Sequence, residues 1–204
     1  LLSHAYRLPA GTDLRQEHQL TTWTAFLRHF GLLGDPVTLP LGLPRTKRLP
    51  VLGLIAGSEN NPEKRWPVER WRELITTLPP AVPVVLFGTA NDLPITNAIA
   101  AELGARVENL AGRTDLETYC QRLAACRLLV TNDTGGMHLA NALGVPLVAV
   151  FGPTNPVRTR PVFNAPVTIL QPPGCPPTGG GSLADLPAAE VIAAVRAQAP
   201  DLFT

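Results

Sequence analysis

The strongest constraint on this chain is a rhythm. Five short apolar runs, "VLGLIA" (51–56), "VPVVLFG" (82–88), "RLLVT" (127–131), "PLVAVFG" (146–152) and "APVTIL" (165–170), recur between segments of helical periodicity. Each run is short, rich in Val, Leu and Ile, and bounded by Gly, Pro or polar turns, which predicts strands. The runs are apolar at successive positions, so both faces of each strand are expected to be buried. Helices are expected at 66–78, 94–104, 114–126, 136–143 and 188–199, and "VENLAG" (107–112) reads as one more short strand and turn. Pro67 suits a first helical turn, where its missing N–H costs nothing. Thr114 with Glu117 reads as a capping box, and Gly144 as a helix stop. Strands alternating with helices predict an α/β fold, a doubly wound parallel sheet covered on both faces.

The first third of the chain reads differently. Residues 13–33 form one amphipathic helical pattern, with Leu20, Trp23, Phe26, Leu27 and Phe30 on one stripe and Gly31 or Gly34 as its end. The stretch "GDPVTLPLGLPRTKRLP" is proline-rich and extended, and marks the domain boundary. This divides the chain into a helix plus linker (1–45) and the doubly wound domain (46–204). The N-terminus lacks a starting Met and the pattern of a signal peptide, so a piece of a longer chain is expected.

Composition narrows the function classes. A hydrophobic fraction of 45% supports a packed core. A net charge of +1 provides no field for nucleic acid, so no nucleic-acid partner is expected and any anion site must be local. No apolar run reaches the roughly 18 residues of a membrane span. Three cysteines at 120, 126 and 175, with no metal spacing, suit a reducing, cytoplasmic compartment. His4, His18, His29 and His138 also lack ligand spacing, so no metal is expected.

In a doubly wound sheet, ligands sit at the carboxyl ends of the strands near the point where the strand order reverses. Three loops there carry polar groups. In "AGSENNPEKRWP" (56–67), Ser58, Lys64 and Arg65 precede a helix and suit an anion such as phosphate, or are simply a solvated loop. In "LFGTANDLP" (86–94), Asp92 suits ribose hydroxyls, or caps the next helix. In "TNDTGGMHLANALG" (131–144), Thr134, Gly135 and Gly136 open a helix whose free N–H groups suit an anion. Asp133 is odd beside an anion alone and fits sugar hydroxyls better, unless it or Thr134 is only the N-cap. His138 reads as a buried, supporting residue of the inner turn, since nothing pairs it with a nucleophile. There is no GxGxxG after the first strand and no Walker spacing.

Two blocks, "GSENNPEKRWPVERWRELI" and "TNDTGGMHLANALGVPLVAVFGPTNP", together resemble the carboxyl-terminal half of glycosyltransferase family 9, the ADP-heptose:lipopolysaccharide heptosyltransferases. The likeness continues between them through "VVLFG" and "NLAGRTDLETYCQRLAACRLLV", and "EHQLTTWTAFLRHFGL" is similar to the helix that closes the family's amino-terminal domain. The resemblance implies one half of a GT-B fold: a Rossmann-like domain that binds a nucleotide-sugar donor, ADP-heptose being the usual one. It implies that Lys64 contacts the donor phosphates with Ser58 and Arg65 nearby, and that Asp133 holds the donor sugar. Thr134, Gly135 and Gly136 would give backbone contacts to the diphosphate, His138 would support that loop, and Asp92 would meet the adenosine ribose. Lys64 and Asp133 are the candidate catalytic residues of an inverting transfer that needs no cofactor. The general base and the surface for a lipid-linked saccharide acceptor would belong to an amino-terminal domain outside this chain, working at the inner face of the membrane. Asn155 stands where the family usually has Asp in its GPTDP motif. A non-catalytic nucleotide-sugar binding module and another GT-B enzyme, such as a sugar-nucleotide epimerase, are the other readings.

Overall fold

The computed structural model describes residues 4–32, 47–59 and 61–204. Among these residues, β1 (Leu52–Ile55), β2 (Val84–Phe87), β3 (Val107–Asn109), β4 (Leu128–Asn132), β5 (Leu147–Val150) and β6 (Val167–Leu170) form a parallel sheet in the order β3-β2-β1-β4-β5-β6. The chain winds outward from β1 to β3, returns to set β4 beside β1 with Leu52 opposite Leu128, and winds outward again. The order reverses between β1 and β4, which makes the gap between their following loops the switch point.

Strand periodicity sorts the core into two layers. Leu52, Leu54, Val84, Leu86, Leu128, Val130, Val148 and Val150 face one side, against α2 (Val68–Thr77), α3 (Leu93–Ala100) and α7 (Ala188–Gln198). Ile55, Val85, Phe87, Leu129, Leu147 and Ala149 face the other, against α4 (Leu116–Ala125) and α5 (Gly135–Ala142). The four central strands are buried at every position, as continuous apolar runs require.

Element ends depart from the sequence pattern for local reasons. Pro67 sits just outside α2 rather than in its first turn. The third helix stops at Ala100, short of the expected 104, because Glu102 and Gly104 take positive φ of 66° and 69°. The fourth is capped by Asp115, whose carboxylate accepts from the Thr118 N–H at 2.8 Å, so Thr114 lies one residue too early for the expected capping box. A short helix, α6 (Pro156–Thr159), was not legible from periodicity because it is a single turn.

The amino-terminal helix, α1 (Gln19–His29), is shorter than the 13–33 pattern. His18 caps it by accepting from the Leu20 N–H, and Gly31 at φ 67° unwinds its end. No residue of α1 is buried, and Trp23 is 58% exposed. It is tied to the sheet domain by His18 Nε2 against the Arg160 carbonyl (2.9 Å) and by Asn155 Nδ2 donating to the Arg15 carbonyl (2.7 Å). Most of the expected linker, 34–46, lies outside the described residues, as does Gly34, the alternative helix stop.

Candidate functional site

A cleft of about 420 Å³ opens at the switch point. Its walls come from the loop after β1 (Gly57, Ser58, Lys64), the loop after β2 (Gly88, Thr89, Asp92), Tyr119 of α4, and the Asp133–Gly136 turn that starts α5. The sheet therefore brings all three polar loops read from the sequence to one place.

Buried Asn132, the last residue of β4, holds the two central loops together. Its Nδ2 donates to the Ala56 carbonyl at 2.7 Å, and its Oδ1 accepts from the Trp66 N–H at 3.3 Å. Trp66 is itself fully buried, edge-on to Trp71 with ring centroids 5.0 Å apart, and its Nε1 donates to the Leu186 carbonyl. The loop from 56 to 66 is thus pinned at both ends, and Lys64 projects from it into the cleft.

Lys64 Nζ donates to Asp133 Oδ2 at 3.0 Å, across a gap of 69 residues in sequence. Asp133 is only 9% exposed at its side chain and Lys64 26%. A carboxylate this buried needs its partner, so each side chain holds the other at the cleft wall. Asp133 consequently does not cap α5. Thr134 occupies that position with extended backbone, yet makes no side-chain capping bond, and its Oγ1 is buried without a hydrogen-bond partner. The start of α5 keeps its free N–H groups and an unsatisfied hydroxyl beside a lysine, an arrangement that favours an anion.

Asp92 makes no cap bond to α3 but closes a capping box on the one-turn 3₁₀ helix Ala90–Asp92: its Oδ2 accepts from Thr89 N–H (2.8 Å) and Thr89 Oγ1 (3.1 Å). Its Oδ1 is buried and has no partner, which leaves one acceptor at the cleft floor. The capping box and a ligand contact are therefore compatible, one per oxygen. Gly57 is a glycine for the same residue: a Cβ there would lie 2.0 Å from Asp92 Oδ1, and one at Gly88 would lie 2.9 Å from Asp92 Cβ. Gly57→Ala is expected to push Asp92 off its cap and lower stability by about 1–3 kcal/mol, read as a drop in the denaturant midpoint at unchanged m; a wild-type midpoint would refute the contact.

The glycosyltransferase family 9 (heptosyltransferase) model matches residues 20–179, which contain every wall of the cleft. The chain belongs to this family. It is 44% identical over 118 residues to lipopolysaccharide heptosyltransferase 2 of Salmonella typhimurium, covering 55% of this chain and 34% of that one. A lipooligosaccharide heptosyltransferase 2 of Campylobacter jejuni is 32% identical over 165 residues, covering 74% of this chain and 51% of that one. Among solved structures, the E. coli ADP-heptose LPS heptosyltransferase II superposes with a TM-score of 0.64 at 32% identity, over 87% of this chain and 51% of that one. The E. coli heptosyltransferase WaaC with ADP gives 0.69 at 26% identity, over 90% and 57%. The chain thus spans about a third to a half of the length of the curated relatives it matches.

Within this glycosyltransferase family 9 chain, the remaining site residues fall in three groups. Ser58 is buried at the cleft wall, and its carbonyl accepts from Arg65 at 2.8 Å. Arg65 itself turns away from Lys64 and lines a neighbouring cleft of about 370 Å³ with Pro153 and Gly180–Ala184. It braces the loop rather than lining the cleft. His138 is solvent-exposed on α5, not buried as its position suggested, because Met137 and Ala140 take the inward face of the short helix. The desolvation its imidazole does undergo lowers its pKa, Asp133 opposes this, and His18 adds to it. Asn155 caps α6 by accepting from the Val157 N–H while its amide donates to Arg15; an Asp there would keep the cap and lose the second bond.

Tyr119 is a cleft residue that periodicity did not single out, because it reads as one more apolar position of α4. Among the described residues no group of His, Cys, Asp and Glu is arranged to hold a metal ion, and no helix is long and apolar enough to cross a membrane.

Proposed function

We propose that the switch-point cleft binds a nucleoside-diphosphate sugar, ADP-heptose by analogy with the relatives, and that this chain is the donor-binding half of an inverting glycosyltransferase that extends a lipopolysaccharide core. The observation that carries this reading is the uncapped start of α5. Its free N–H groups and the unpartnered Thr134 hydroxyl share the cleft with Lys64, while Asp133 stands 3.0 Å from that lysine. Cation and helix start suit a diphosphate; buried carboxylates suit the hydroxyls of sugar and ribose. Thr134, Gly135 and Gly136 are assigned to the diphosphate, Asp133 to the donor sugar and Asp92 Oδ1 to the ribose.

In such a transfer an acceptor hydroxyl oxygen bonds to the anomeric carbon as the bond from that carbon to the diphosphate oxygen breaks. The hydroxyl proton goes to a general base, and negative charge grows on the departing ADP. Lys64 and the start of α5 stand where that charge develops. The base and the lipid-linked acceptor surface are assigned to an amino-terminal domain of a longer protein, of which residues 1–45 are the closing helix and linker, and 46–204 the donor domain. A lipid-linked acceptor places the enzyme in the cytoplasm, peripherally at the inner face of the inner membrane.

Calorimetry of the chain with ADP, UDP and GDP tests the reading: ADP should bind most tightly, and no binding by any of the three would refute it. Asp133→Ala sharpens the test. It removes a negative charge beside the diphosphate, so ADP affinity should hold or rise. It also removes the sugar's acceptor, so binding of ADP-heptose should weaken by about 10- to 100-fold, the equivalent of one charged hydrogen bond of about 1.5–3 kcal/mol. Wild-type affinity for ADP-heptose would remove Asp133 from the sugar site.

A further inference from the structure

Tyr119 stands in the cleft on the side of α4, its ring edge-on to Phe87 with centroids 5.3 Å apart. The residue lies one turn after the Asp115 cap, and its backbone N–H donates to the Asp115 carbonyl, so the ring is placed by a well-anchored helix start. A Cβ at Gly136 would fall 2.8 Å from the Tyr119 hydroxyl and 2.5 Å from Ile55 Cδ1. The phenol oxygen therefore rests against the first turn of α5, in the space where a side chain at 136 would stand. Gly136 has no positive φ that would demand glycine, so the room it leaves is shared by Ile55 Cδ1 and the phenol. The hydroxyl makes no hydrogen bond among the described residues, and the cleft is where it opens.

We propose that Tyr119 is a further donor-binding residue, whose phenolic O–H donates to the diphosphate at the start of α5, and that Gly136 is small in order to admit it. This rests on the donor-site reading above. The phenol is suited to be a donor: burial, then Cys120, Asp92 and Cys126, raise its pKa well above the ordinary tyrosine value, so it keeps its proton. It joins two groups already aimed at the same anion, the unpartnered Thr134 hydroxyl and Lys64. An O–H to a phosphate oxygen is a charge-assisted bond, stronger than a neutral one.

The test is calorimetry of the 204-residue chain with ADP. Tyr119→Phe keeps the ring and its packing on Phe87 and should weaken ADP binding about tenfold with an unchanged melting temperature. Gly136→Ala should weaken it by a similar factor, since the added methyl displaces the phenol. In a Tyr119→Ala background Gly136→Ala should cost several-fold less affinity than it does alone, only the Ile55 contact remaining, the coupling expected of two residues that share one space. A Tyr119→Phe chain that binds ADP as the wild type does overturns the role of Tyr119 and leaves the donor site standing. Losses from Gly136→Ala and Tyr119→Ala that simply multiply overturn the pairing. A wild-type chain that does not bind ADP overturns both this proposal and the donor reading.

Discussion

Lys64→Ala is expected to lower ADP affinity by about 10- to 100-fold, and in the full-length natural protein to lower turnover by about 10²- to 10³-fold. The first figure follows from losing one charge-assisted hydrogen bond, worth about 1.5–3 kcal/mol. The second is the usual effect of removing one group aimed at charge that develops in the transition state. Lys64 is held in the cleft by the Trp66 bond two residues on and by Asp133 at 3.0 Å. The substitution also strands Asp133, a carboxylate only 9% exposed, so part of the expected loss reports an unpaired negative charge beside the proposed diphosphate site. The double variant with Asp133→Ala separates the two contributions: it should recover some ADP affinity relative to Lys64→Ala alone. Calorimetry reads the affinity and steady-state kinetics the turnover. A Lys64→Ala chain with wild-type ADP affinity would remove Lys64 from the phosphate site.

Asn132→Leu is expected to destabilise the domain by about 3–5 kcal/mol. The side chain is fully buried and satisfies two backbone groups of the opposite loop, the Ala56 carbonyl and the Trp66 N–H. Leucine matches it in volume but offers neither a donor nor an acceptor, and each buried backbone group left unpaired costs about 1–3 kcal/mol. Urea unfolding reads the loss as a lower midpoint. Because the same bonds set the position of the Lys64 loop, ADP affinity should fall as well, although Asn132 does not line the cleft. A midpoint within experimental error of wild type would mean that the loops are held by Trp66 packing alone.

The sheet is largely legible in the amino-acid sequence because its signal is local. Runs such as "VVLF" and "LVAV" are apolar at every position, and only strands buried on both faces tolerate that. Helix ends were less legible, since they turn on single side chains. Asp115 outcompetes Thr114 as a cap because its carboxylate reaches the Thr118 N–H, and Glu102 ends α3 by adopting a left-handed conformation that few residues take. Of the site, the identities of Lys64, Asp133 and Thr134 stood out as polar residues at strand ends. His138 was misplaced because a helix of about two turns is too short for periodicity to assign its face. Tyr119 was missed because an aromatic residue on an amphipathic helix looks like core.

The fold class, the position of each strand and the loops that line the cleft follow from the amino-acid order alone, since burial and turn chemistry are written into neighbouring residues. The strand order, and with it the switch point, came only from tertiary structure. So did the contacts that make the site: Lys64 with Asp133, Asn132 with the loop from 56 to 66, Asp92 against Gly57, and Tyr119 against Gly136. These pair residues far apart in the chain, and nothing in the local pattern around either partner encodes the other. They exist because the parallel sheet returns β4 to the side of β1 and sets the carboxyl ends of both strands next to each other.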